Sequence, residues 1–283
     1  MQRLAPYLQV APLTLILGVF LVVPVAMIVL VSFWSYDEFD IYPDFILDNY
    51  EWILTSPVTW SLYLKTLYYA AVTWAITLLV GFTISWYLVF HVRNLIWQIG
   101  LFLLCTVPFW TSNVIRMISW IPFLGREGIF NQALMGAGIT GEPLEFLLFS
   151  DFAVILAYVH LFTLFMIVPI FNSMARIDPT LIEAAVDGGA RPWQVVLEVV
   201  LPLCKTGIAL GSIFVIALVM GDFVVVRTMS GGQSATVASA MMNEIALLQY
   251  PTAAAGATIL LVVVTLMVAA ILRVVDVRRE LAG

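Results

Sequence analysis

The chain has 283 residues, of which 63% are hydrophobic and 11% charged, with a net charge of -6 and a mean hydropathy of +1.05. A soluble domain carries about 25% charged residues, so this composition excludes one and places the chain in lipid. The acidic balance, with a pI near 4.8, also argues against a nucleic-acid partner, whose footprint is a basic face.

The first apolar run, 13–33, follows a start whose one charge is Arg3. It is too long for a secretory signal, and no Ala-x-Ala site closes it. Further runs of about 20 apolar residues, the length that crosses a bilayer, follow at 66–90, 95–123, 152–171, 206–226 and 252–275. The sequence therefore predicts an all-α integral membrane protein with six transmembrane helices in a single domain, 1–283. The third run carries Pro108 in its middle. It is either one kinked helix or a span ending near Phe109 followed by a second element. Cys105 falls in this run and Cys204 beside a loop, so no disulfide framework is expected.

Charge sets the orientation. With the N-terminus inside, Arg3, Arg93, Arg176, Arg191, Lys205, Arg273, Arg278 and Arg279 face the cytosol, as the positive-inside rule expects. The opposite loops then hold Asp37, Glu38, Asp40, Asp44, Asp48 and Glu51, followed by Glu127, Glu142, Glu145 and Asp151, and finally Glu244. Such an acidic mouth either concentrates cations through its summed field or is ordinary solvated surface. Trp34, Tyr36, Tyr50, Trp52 and Trp60 suit an interfacial aromatic belt and need no ligand.

Between the fourth and fifth runs lies the most informative stretch, 178–202. Asp178 can cap a helix whose first residue is Pro179, where a missing N–H costs nothing. Gly188-Gly189 can end that helix in a left-handed conformation, and Pro192 can open a second one. The outcome is a helix–turn–helix protruding from the membrane. Ala184 and Ala185 leave a surface of small side chains on which a partner can close, and Glu183 adds a charge that orients it.

The spacing Glu183-Ala184-Ala185, three residues, Gly189, nine residues, Val199, one residue, then Leu201-Pro202 resembles the signature of bacterial binding-protein-dependent ABC importer permeases, with Val199 in place of the more usual isoleucine. The resemblance implies a MetI-like transmembrane domain whose loop seats coupling helices in a cleft of an ATPase subunit. It carries that role to Glu183, Ala184, Ala185, Asp187 and Gly189. It also implies a second, homologous permease subunit, two ATP-binding subunits, an external solute-binding protein and a bacterial inner-membrane location with both termini cytoplasmic. A second run, Val107-Pro108-Phe109-Trp110-Thr111-Ser112-Asn113-Val114-Ile115-Arg116, is similar to the third-span region of spermidine/putrescine permeases. This similarity implies a polyamine cargo, although related permeases carry opines and other small solutes.

Charged groups inside a span are costly and usually face a bundle interior or a watery cavity. Arg116 and Asp222 are the two candidates. On one continuous helix, Phe109, Asn113, Arg116 and Trp120 would form a single stripe. With Trp110 and Thr111 they are the expected lining of a pathway or gate. Asp222, after Gly221, could meet an ammonium group, and a cation could lie over Trp110. Equally, Arg116 and Asp222 could neutralise each other and serve bundle assembly alone. His160 and Tyr158 read as interior packing.

No phosphate-binding G-x-x-x-x-G-K-[ST] loop occurs, so ATP hydrolysis of that kind falls to a partner. No Cys/His/carboxylate cluster has metal-ligand spacing, no nucleophile elbow is present, and no cofactor is expected. The competing class is a secondary carrier using Asp222 as its ion site; it should show repeated halves, and none are seen.

Overall fold

In hydrocarbon every backbone N–H and C=O must find a partner within the protein, which leaves helices as the economical answer for apolar runs of this length. The computed structural model describes residues 5–37 and 40–275. Arg3, Glu38, Arg278 and Arg279 lie outside the described residues. Helix α1 runs Ala5–Leu17 and Val23–Val31 around a π turn, Gly18–Val22. A short antiparallel pair, β1 (Ser35–Tyr36) and β2 (Ile41–Tyr42), joins Ser35 to Tyr42 and Tyr36 to Ile41. Then come α2 (Asp48–Thr55), α3 (Pro57–Trp86, closing in a π turn Tyr87–His91), α4 (Leu95–Thr106), α5 (Asn113–Leu124), α6 (Ile129–Gly136) and α7 (Asp151–Met174). The chain continues through α8 (Pro179–Asp187), α9 (Pro192–Gln194), α10 (Lys205–Gly221), α11 (Val224–Met229), α12 (Val237–Ala246) and α13 (Tyr250–Val274).

Among the described residues, four helices are long and apolar enough to cross a membrane: Val10–Val31, Pro57–His91, Asp151–Met174 and Tyr250–Arg273. Two bent pairs, Leu95–Trp110 with Asn113–Gly136 and Pro192–Leu203 with Lys205–Gly221, bring the number to six when each is counted as one span. The third run is therefore two elements and not one kinked helix. After α4 a 3-10 turn, Val107–Trp110, leads into extended backbone at Thr111 (φ -100°, ψ 152°), and the following segment, Asn113–Gly136, departs at 89°. The fifth helix also ends earlier than its apolar run: α10 stops at Gly221, and Asp222 is extended (φ -88°, ψ 133°).

The chain divides into two compact units, Met1–Tyr63 with Val237–Val263 and Leu64–Thr236 with Val264–Gly283. In the first, Asn49 is a buried staple. Its Nδ2 donates to the carbonyls of Ser32 (3.0 Å) and Trp34 (2.9 Å), and its Oδ1 accepts from the Thr252 hydroxyl at 3.3 Å. It thus satisfies the carbonyl of Ser32, the C-cap of α1, and that of Trp34 just beyond it. None of the Val10–Val31 window is buried within the chain.

The second unit is built on α7, whose Ala157, Tyr158, Met166, Ile170 and Met174 are at most 1% exposed. Helix α10 crosses it through Gly207 and Gly211. A Cβ at Gly207 would stand 2.3 Å from the Pro169 carbonyl oxygen, and one at Gly211 would stand 2.6 Å from Met166 Sδ. Two helices can approach this closely only through glycine, the usual way membrane helices gain packing contact where lipid removes a hydrophobic drive. Trp74 Nε1 of α3 donates to Ser212 Oγ at 2.7 Å, tying a third helix to the pair.

Candidate functional site

The 178–202 loop forms as its residues dictate. Asp178 Oδ1 accepts from Thr180 N at 3.0 Å, and these hydrogen bonds from Thr180 hold the Asp178 carboxyl below the usual carboxylate range. Pro179 occupies the first helical position. At the other end Gly189 takes φ +82°, Gly189 N donates to Val186 O (2.9 Å) and Ala190 N to Ala185 O (3.0 Å). These two bonds are the Schellman motif, with Gly189 at its left-handed position. Gly188 remains right-handed (φ -71°).

Helix α8 is held at both ends by local bonds and stands out from the unit. Glu183, Ala184 and Asp187 are exposed and Ala185 is half-buried, and Leu181 (47%) and Val186 (56%) carry exposed apolar surface. Gln194 Oε1 then accepts from Arg191 N at 2.8 Å to start α9. The chain continues through a π turn, Val195–Val200, and Leu201–Leu203, then turns by 72° into α10. Between α8 and α10 the chain is therefore mostly helical, interrupted by the turn at 188–191 and the bend at Cys204.

The intramembrane candidates separate into two groups. Asn113 and Arg116 share α5, and Arg116 Nη2 donates to Asn113 Oδ1. Arg116 is 8% exposed, and its Nε has no hydrogen-bond partner. Trp120, one turn on, donates through Nε1 to His160 Nδ1 at 3.0 Å. The imidazole is therefore an acceptor at Nδ1, and when neutral it carries its proton on Nε2.

Asp222 stands elsewhere in the local network. Its Oδ1 accepts from Val225 N at 2.8 Å, capping α11, and the Tyr158 hydroxyl lies 3.5 Å from both its Oδ1 and its carbonyl oxygen. Arg116 and Asp222 do not pair: among the described residues the ion pairs within 4.0 Å are Lys65–Asp151 and Arg126–Glu145. The single stripe from Phe109 to Trp120 is also broken, because Phe109 lies on the 3-10 turn before the bend while Asn113, Arg116 and Trp120 lie on α5 after it. Trp110 sits at the bend and is 75% exposed; Thr111 turns its hydroxyl back onto Pro108 O at 2.9 Å.

Comparison with known proteins fixes what this arrangement belongs to. No family model matches the chain. It is 32% identical over 255 residues to the spermidine/putrescine transport system permease protein PotB of Escherichia coli K12, covering 89% of this chain and 90% of that one. The chain belongs to the permease subunits of ABC transporters. This chain is also 26% identical over 271 residues to the osmoprotective compounds uptake permease protein GgtC of Synechocystis, with 92% of this chain and 94% of that one covered. Its fold matches a chain in the crystal structure of a bacterial alginate ABC transporter in complex with alginate pentasaccharide-bound periplasmic protein, with a TM-score of 0.70 at 16% identity over 94% of this chain and 92% of that one.

Two features of the permease escaped the sequence reading. Asp151, counted above only as an outer-loop acid, accepts from the Tyr69 hydroxyl (2.6 Å) and the Ser234 hydroxyl (2.7 Å) and faces Lys65 Nζ at 3.0 Å. The cluster joins α3, α7 and the segment before α12. Lys65 and Tyr69 are four residues apart, one face of a helix, and that spacing was the available signal. The second is Gly207-x-x-x-Gly211, a small-x-x-x-small pattern that marks close helix approach.

Proposed function

We propose that this permease is one of a homologous pair through which a small cationic solute, a polyamine such as spermidine or putrescine, enters the cytoplasm. The whole chain acts as one membrane domain of a bacterial inner-membrane importer. It is fed by a periplasmic solute-binding protein and powered by two ATP-binding subunits that grip Glu183, Ala184, Ala185, Asp187 and Gly189. Both termini are cytoplasmic. The observation that carries the reading is the loop: a short helix capped at both ends, with Glu183 and Ala184 exposed, joined to a membrane helix through one hydrogen-bonded turn and a short helical segment. Such a build transmits a push instead of absorbing it.

Transport is alternating access, with Trp110, Thr111, Asn113, Arg116 and Asp222 along the path. The half-buried Asp222 supplies the carboxylate an ammonium group needs, and the buried guanidinium of Arg116 repels the same group, so the two act at different stages. The cargo is argued from the likeness to PotB and from the acidic outer loops, two of whose carboxylates already face Lys65 and Arg126.

The test is uptake of radiolabelled spermidine by cells carrying a Glu183→Ala, Gly189→Pro double variant. We expect uptake at background with the permease still present in the membrane and ATP hydrolysis by the complex no longer linked to solute. Normal uptake by that variant sinks the coupling role. If the wild type takes up no polyamine while the variant still uncouples hydrolysis, the importer stands and the cargo is a different small solute.

A further inference from the structure

Helix α12 carries a carboxylate that neither the coupling loop nor the membrane path uses. Glu244 projects into a cavity of about 240 Å³ lined by α2, the first turns of α3, α12 and the start of α13. Its Oε2 is buried and has no hydrogen-bond partner. The wall is apolar where Ile53, Leu62 and Met241 stand, and it presents two aromatic rings, Trp52 and Tyr63, and two hydroxyl-bearing residues, Ser56 and Thr59. Among the described residues no basic side chain lines it.

An ionised carboxylate left unpaired in such surroundings is costly. Two partners can relieve it, a proton or a cation that brings its own charge. A hard divalent ion is a poor fit, since it needs about six oxygen ligands and the cavity offers one carboxylate. We propose that this cavity is a binding site for a primary alkylammonium group, the ammonium held by Glu244 between Trp52 and Tyr63 and its alkyl chain lying on the apolar wall. Aromatic faces and a carboxylate together are what such a head group selects, and the volume leaves room for the chain behind it. Asp222 is not on its wall, and the site stands whether or not the carried solute is an amine.

Burial pushes the Glu244 carboxyl up to about 7, so near neutral pH a proton competes with the cation. Tyr63 is the other titratable side chain on the wall, and phenols stay neutral well above this range. The experiment is a titration of the full transporter in lipid nanodiscs with n-butylammonium, followed by calorimetry, with 1-butanol as the uncharged counterpart. We expect saturable binding of the ammonium, none of the alcohol, at least tenfold weaker binding in Glu244→Gln, and weaker binding in Trp52→Leu. In the wild type, affinity should rise about tenfold from pH 6 to pH 8, following the ionised fraction of a group with a pKa near 7. The pH series needs no variant, so a poorly folded substitution does not decide the matter. Equal affinity in Glu244→Gln, equal binding of 1-butanol, or a flat pH profile overturns the proposal.

Discussion

Gly188 and Gly189 are interchangeable in composition and different in backbone. Gly188 sits at φ -71°, where alanine is at ease, and Gly189 at φ +82°, where a Cβ meets its own carbonyl and costs roughly 1–2 kcal/mol. Nothing lies within 4 Å of a Cβ built on Gly189, so the penalty there is conformational and not a clash. Gly189→Ala should therefore raise amide exchange at residues 189–190 by about five- to thirtyfold, and Gly188→Ala should leave it nearly unchanged; hydrogen exchange read by mass spectrometry separates the two. The sequence announced that the helix ends on this pair, because glycine is the usual left-handed stop. Which glycine turns is decided by the Schellman bonds to Val186 and Ala185, which composition alone does not specify. Arg116 and Asp222 teach the same lesson from the other side. Both were legible as costly intramembrane charges, but their partners, Asn113 for one and the α11 backbone for the other, depend on where two helices break.

Those breaks are the element-scale surprise. A hydropathy run measures how long the chain stays apolar, not whether its backbone stays helical, so 95–123 and 206–226 each read as one span. Pro108 hinted at the first break, yet the turning residues are Thr111 and Ser112, both extended. At the second, Gly221 gives way to Asp222, whose side chain caps the helix that follows. Two uninterrupted helices lie close to their apolar runs, Asp151–Met174 beside 152–171 and Tyr250–Val274 beside 252–275, whereas α3 begins at Pro57, well ahead of the run 66–90. What holds them together was less visible, since small residues carry no hydropathy signal. The α7–α10 crossing yields a ranked test. At Gly207 an added methyl meets the Pro169 carbonyl, which is backbone; at Gly211 it meets the thioether of Met166, which can swing away. Gly207→Ala should destabilise by about 1–3 kcal/mol and Gly211→Ala by clearly less, measured as the midpoint of thermal unfolding in detergent. Equal effects would mean that the helices part as rigid rods.

At the scale of the whole molecule the charges sort into two sets of loops, and the structure shows how much of that sorting is field and how much is local pairing. Arg126 and Glu145 are 3.7 Å apart and both largely exposed, an arrangement worth about 0–1 kcal/mol. It trims the acidic balance of its loop without fixing anything in place. Lys65 and Asp151 belong instead to a half-buried cluster with Tyr69 and Ser234, so they are structural first. Glu127 and Glu142 are exposed, and the proposed orientation rests on the basic residues Arg93, Arg176, Arg191 and Lys205, which it sets opposite to them. Thiol labelling reads that directly. Cys204 is fully buried and Cys105 only partly reachable, so background reaction with a membrane-impermeant maleimide should be low. Glu142→Cys, on the acidic side, should label in intact spheroplasts, whereas Glu183→Cys should label only in inverted vesicles, where the face proposed to grip the ATP-binding subunits is exposed. Adding those subunits should then protect Glu183→Cys and leave Glu142→Cys unaffected. Labelling of Glu183→Cys in intact spheroplasts and of Glu142→Cys only in inverted vesicles would reverse the topology and remove α8 from reach of any cytoplasmic partner, because a helix held so tightly at both caps has no slack with which to cross the bilayer.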